Sequence, residues 1–254
     1  MQANHVESPR WQELVSSLWS RANEGGDWPS GLARACPEGG PDGIRLVRSV
    51  AGRLAWLATL GGAPVPRPAK GSGWDGRVSA WCFGERMRYE FAFSEIAKQQ
   101  DSWTKRFPHD SLLAALIAFS GCGNGQEWGP VMVRQALAGT DADDRVRFVC
   151  LHAIWFALAG DPSMAPWLIE LSEDMLARGE ESDVLHYRRA RALRVLGRSD
   201  EALEEVDEAL SMLEPNHEAA KVARDFAGER GQVMADMPAE ARVASLYRRL
   251  KTGI

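Results

Sequence analysis

The sequence predicts a mainly α-helical chain, an α-solenoid of helix hairpins behind a less regular N-terminal part. Three observations predict it. From residue 109 onward, apolar residues recur at helical spacing in one segment after another. Most of these segments stop at a glycine, namely Gly121, Gly139, Gly160, Gly179, Gly197 and Gly231, the residue that a left-handed helix end favours. Gly160, Gly197 and Gly231 are spaced by 37 and 34 residues. Periods of this size mark stacked helical repeats, because one hairpin cannot bury its apolar stripe alone and neighbouring hairpins share a core.

The N-terminal region, residues 1–105, reads less regularly. In residues 9–22, Trp11, Leu14, Val15 and Leu18 share one helical face, and in residues 43–60 Leu46, Val47, Val50, Leu54 and Leu57 do the same. A Gly/Pro-rich loop at 61–76 (GGAPVPRPAKGSGWDG) separates them from residue 77 onward. Two readings fit residues 77–93. Met87, Tyr89, Phe91 and Phe93 alternate with Arg86, Arg88, Glu90 and Ala92, which is strand period, and Gly84-Glu85 supplies a two-residue turn for a short β-hairpin. A helix through Trp81, Cys82, Glu85, Arg88, Tyr89, Ala92 and Ile96 suits a helical neighbourhood.

The second region, 106–254, is a series of helices. One starts on Asp110 or Ser111 as N-cap and runs to Gly121. Further segments end at Gly139, Gly160, Gly179, Gly197 and, after the one stopping before Pro215, at Gly231. A last helix, PAEARVASLYRRLKTG, closes the chain. Leu196 is expected in the core of its hairpin.

Residues 185–216 resemble a tetratricopeptide repeat. Ala190 falls at the small site of the first helix, Leu193 at the large apolar site after it, and Gly197 at the turn. Ala202 and Ala209 take the small sites of the second helix, Val206 the bulky site between them, and Pro215 the terminal proline. Small side chains let helices approach to about 8 Å. Arg189 and His186 depart from the pattern, standing where bulky apolar residues are common in the family. The resemblance implies a non-catalytic scaffold or adaptor that binds a protein segment on a concave groove lined by the first helix of each repeat. The helices near 143–159, 183–196 and 217–230 would line it. Tyr187, Arg188, Arg191 and Arg194, with Ile154 and Lys221 from the flanking helices, are the expected peptide-binding residues. Arginine forks bind carboxylates with two hydrogen bonds, so a mixed acidic and apolar peptide is the expected partner. The competing reading pairs these arginines with the next, acidic helix, which carries Glu201, Glu204, Glu205, Asp207 and Glu208.

Other chemistry is weaker in the sequence. The five histidines have no metal-ligand spacing. Asp141, Asp143 and Asp144 read as helix N-terminal acids that offset the dipole. The loop GCGNGQ lacks the Lys-Ser/Thr of a phosphate loop. No cofactor motif, metal site or catalytic set is read. A net charge of −5 disfavours general nucleic-acid binding. No apolar stretch approaches the roughly 18 to 20 residues that span a bilayer, and MQANHVESPRWQE does not read as a signal peptide. The four cysteines are far apart and form no C-x-x-C, so a reduced, cytoplasmic setting is expected. Two alternatives stay open. One is an enzyme or small-molecule binder whose site uses Glu85, Arg86, Arg88 and Glu90 in the Trp-rich N-terminal part. The other is a secretion chaperone or toxin-neutralising partner.

Overall fold

Helix starts reflect the side chains available to cap them. Asp27 accepts from the Ser30 amide at 3.3 Å, Asp110 from Leu113 at 2.9 Å, Asp143 from Val146 at 3.0 Å and Ser182 from Leu185 at 3.2 Å. Each bond satisfies one of the amides that a helix leaves without an internal partner. The structure, a computed structural model, describes residues 9–23, 27–37, 40–213 and 217–237; the side chains of 22–23, 217–224 and 226 lie outside that description. Among the described residues every regular element is helical.

These residues divide into two compact units at Gly160/Asp161. The first holds α1 (Pro9–Asn23), α2 (Trp28–Ala35), α3 (Pro41–Leu60), α4 (Trp74–Tyr89), α5 (Phe93–Ala97), α6 (Gln100–Arg106), α7 (Ser111–Gly123), α8 (Trp128–Leu137) and α9 (Asp144–Leu158). The second holds a 3-10 turn (Pro162–Met164), α10 (Ala165–Ala177), α11 (Asp183–Val195), α12 (Ser199–Ser211) and α13 (His217–Asp236). The boundary expected at 105/106 falls inside the first unit, between α6 and α7.

In the first unit α7 packs against α8, α9, α5 and α4, while α4 also packs on α3 and α2. Trp81, Trp103, Phe119, Leu54, Leu112, Leu116 and Leu151 are fully buried there. The β-hairpin reading of residues 77–93 is corrected: Trp74–Tyr89 is one helix. Its neighbours on several sides bury every residue from Val78 to Arg88. Tertiary packing of a helix buried on all sides therefore overrides the local strand period. Gly84 is no turn residue; a Cβ there would come within 2.6 Å of Leu116 Cδ1 and 3.1 Å of Trp103.

Five helices end in the same hydrogen-bond pattern. After α3, α7, α10 and α11 the left-handed residue is Gly62, Gly125, Gly179 and Gly197, with φ between 64° and 80°. In each, the next amide bonds a carbonyl five residues back, as from Arg198 to Leu193 at 2.9 Å. At the end of α4 the same position is Phe91, with φ of 53°, and Ala92 bonds the Met87 carbonyl at 2.9 Å. Two expected helix ends are corrected. Gly121 lies inside α7 and Gly231 inside α13, so the 34-residue spacing does not mark a helix end at its far side. The final expected helix and Pro215 lie outside the described residues.

In the second unit α11 and α12 form a close antiparallel pair, α10 packs on α11, and α13 packs on α12. Ala190, Ala202 and Ala209 are fully buried, together with Leu185, Leu193 and Val206. Leu196 corrects the expectation: it is 40 % exposed. It sits at the helix end, where the chain turns away toward Gly197, and Leu193 fills the core one turn earlier.

Candidate functional site

The face of α11 expected to bind a peptide carries Arg188, Arg191 and Arg194 at three-residue spacing, and α11 holds Tyr187 beside them. The structure separates their fates. Arg188 is buried, while Tyr187, Arg191 and Arg194 are half-buried. Arg194 donates through Nε to Glu229 at 2.7 Å and through Nη1 to Asp236 at 3.1 Å. Its acidic partners thus come from α13, whereas the sequence had offered those of α12. Burial raises the Tyr187 hydroxyl pKa, and the Glu229 charge adds to the rise. Ile154 is only 1 % exposed, in the interior of the first unit. Lys221 lies on α13, but its side chain is outside the described residues.

The acids of α12 take other partners. Glu205 bonds His186 Nδ1 at 2.6 Å and pairs with Arg189 at 3.1 Å, and Glu201 pairs with Arg198. His186 and Arg189 are the two departures from the repeat pattern, and here they tie α11 to α12 through Glu205. Burial favours the neutral His186 ring, but the Glu205 hydrogen bond and the charges of Glu205, Glu181 and Glu208 outweigh it and raise its pKa.

Two buried polar clusters in the first unit were not assembled by sequence reading. The first surrounds Arg48 of α3, which is fully buried. Its guanidinium donates to Asp141 Oδ2 at 2.5 Å, Asp143 Oδ2 at 3.1 Å, Asp110 Oδ1 at 3.4 Å and the Asp141 carbonyl at 2.7 Å. Arg77 bonds Asp110 and Asp141, the Trp81 indole N–H donates to Asp110 at 3.0 Å, and the Ser111 hydroxyl donates to Asp141. Asp110 caps its helix as expected, Asp143, read from sequence as an acid offsetting the dipole, caps α9, and the same carboxylates hold the two arginines. Sequence reading found the caps because capping is local; the arginine contacts span up to 95 residues.

The second cluster joins three helices. Glu85 of α4 is fully buried and accepts from Arg145 Nε and Nη2, both at 2.7 Å, and from Arg88 Nε at 2.8 Å. Arg145 Nη2 also donates to the Tyr89 hydroxyl at 3.2 Å. Burial pushes the Glu85 carboxyl up, but the Arg145 and Arg88 charges and hydrogen bonds outweigh it and hold it down at about 2. Burial likewise opposes ionisation of the Tyr89 phenol, and the same two guanidiniums outweigh it and lower its pKa. Gly52 of α3 makes room for Arg145, whose guanidinium fills the place a Cβ would take. Arg86 turns the other way, donating to the Ala63 carbonyl at 3.0 Å and pairing with Glu90. Glu85, Arg86, Arg88 and Glu90, named from sequence as available polar groups, therefore serve two separate places.

No family model, curated protein or solved structure matches this chain. Among the described residues no group of three or more His, Cys, Asp or Glu side chains is placed to hold a metal ion. None of the described helices is long and apolar enough to cross a membrane.

Proposed function

We propose that the chain is a protein-interaction scaffold whose tetratricopeptide-like helices, from α10 onward, bind a segment of a partner protein. The observation that carries this reading is the α11–α12 hairpin, closed over the fully buried Ala190, Ala202 and Ala209 with Gly197 at its left-handed turn. Small side chains at a crossing bring two helices close and leave the outward face of the first helix for a ligand. Tyr187 and Arg191 stand on α11 at intermediate exposure. An aromatic ring and a guanidinium suit a segment that mixes acidic and apolar residues. Arg194, held by Glu229 and Asp236, orders the adjoining helix instead of meeting the ligand.

Selection from a peptide library against the immobilised full-length chain tests the reading. Enrichment of acidic and apolar segments is expected, with affinity falling at least tenfold in Tyr187→Ala and Arg191→Glu at unchanged helicity. Arg191 is preferred to Arg188 for charge reversal, because a buried carboxylate at 188 would disturb folding. Peptides whose affinity ignores both substitutions would count against the scaffold.

A further inference from the structure

We infer that Glu85, Arg88, Tyr89, Arg145, Phe148 and Trp56 form a binding site for a small aromatic carboxylate. The inference is independent of the peptide-binding proposal, since all six residues belong to the first unit.

The charge count points to an anion. Two guanidiniums bond one carboxylate, Glu85. Glu85 stays ionised across ordinary pH, because three N–H donors hold it. One positive charge in the cluster is therefore left over, and Arg88 carries it in the more secluded place. Its side chain is 2 % exposed, Nε is committed to Glu85, and Nη2 is sealed from solvent without a protein acceptor. Buried donors without an acceptor are uncommon in folded proteins; Arg48 Nε and Arg86 Nη1 are others here, and Arg88 Nη2 is the one beside the surplus charge.

The rings define the rest of the ligand. The Arg88 guanidinium lies 4.0 Å from the Tyr89 ring centroid and 5.8 Å from that of Phe148, and Arg145 lies 5.5 Å from Phe148. Trp56 leans on Tyr89 with centroids 5.1 Å apart. Trp56, Tyr89 and Phe148 are all half-buried beside the secluded cation. A planar body stacks on such rings. The Tyr89 hydroxyl accepts from Arg145, which leaves its own hydrogen to donate to an incoming oxygen. A carboxylate supplies the single missing charge and matches a guanidinium fork. A phosphate monoester, with a charge of about −1.5 to −2 near neutral pH, overshoots it.

Calorimetry and thermal melting of the full-length protein with benzoate, benzamide and phenyl phosphate test the site. Saturable benzoate binding that raises the melting midpoint is expected, with benzamide at least tenfold weaker and phenyl phosphate weaker than benzoate. Arg88→Met removes the surplus cation but keeps the Glu85–Arg145 pair, and should weaken benzoate at least tenfold. Tyr89→Phe keeps the ring and should weaken benzoate severalfold, and it decides the matter if Arg88→Met does not fold. Absence of saturable benzoate binding, equal affinity for benzamide, preference for phenyl phosphate, or undiminished binding in the folded variants would overturn the site.

Discussion

At the scale of single residues, the charged side chains in the interior carry the sharpest consequences. Glu85→Gln leaves two buried guanidiniums with a neutral partner, and breaking a buried pair in this way costs about 3–5 kcal/mol; urea denaturation of the variant measures it. Because the folded pKa of Glu85 is depressed to about 2, its contribution is present above its ordinary 4.5 and is lost as pH falls through the folded value. His186 has the opposite sign. Its folded pKa is raised, so its bond to Glu205 stabilises fully below the ordinary 6.5 and fades as pH climbs through the folded value. The melting midpoint of wild-type protein should therefore decline more steeply above pH 6.5 than that of His186→Gln, and parallel curves would show that His186 contributes nothing. Sequence reading saw Glu85 and Arg88 as polar groups without a spacing that commits to a reaction. Their partner Arg145 stands 60 residues along the chain from Glu85, and no local pattern announces such a pairing.

At the scale of elements, glycines that look alike in sequence behave differently. Gly197 sits at φ 75°, so Gly197→Ala should cost about 1–2 kcal/mol. Gly160 has no positive φ, and a Cβ there meets nothing nearer than 3.9 Å. Gly160→Ala is expected to change stability by less than about 0.5 kcal/mol. Equilibrium unfolding of the two variants separates them. Within the hairpin, Leu193→Ala should cost about 2–5 kcal/mol, and the exposed Leu196 well under half of that. Ala202→Trp should be far less tolerated than Glu204→Trp, since only Ala202 faces the crossing. The helices after residue 109 were legible where caps and apolar stripes agree with a glycine stop, as at Gly139, Gly160, Gly179 and Gly197, and less so at Gly121 and Gly231, which lie inside helices. Residues 77–93 were not legible, because a helix buried all round loses the one-sided stripe by which helices are recognised. Phe91 hid the end of α4 for a related reason: a phenylalanine performs there what glycine performs at the other four such ends.

At the scale of the whole molecule, the sequence conveyed a helical chain, and the compact units follow from contacts that run across long stretches of it. Composition drew attention to the Gly/Pro-rich loop, yet α3 before it packs on α4 after it, and α4 packs on α7. The break at Gly160/Asp161 falls at a glycine that the sequence marks only as one helix end among several. A fragment spanning residues 5–160 is expected to unfold cooperatively on its own, because both of its polar clusters are closed within it; a fragment with a broad, non-cooperative transition would argue otherwise. The four cysteines make the same division measurable. Cys36, Cys82, Cys122 and Cys150 are all buried, and burial pushes each thiol up, Cys122 to about 12. Alkylating reagents attack the thiolate, so labelling must wait until the surroundings of these sulfurs come apart. All four belong to the first unit, which gives the chain a built-in clock: the pace of thiol modification times the opening of that unit.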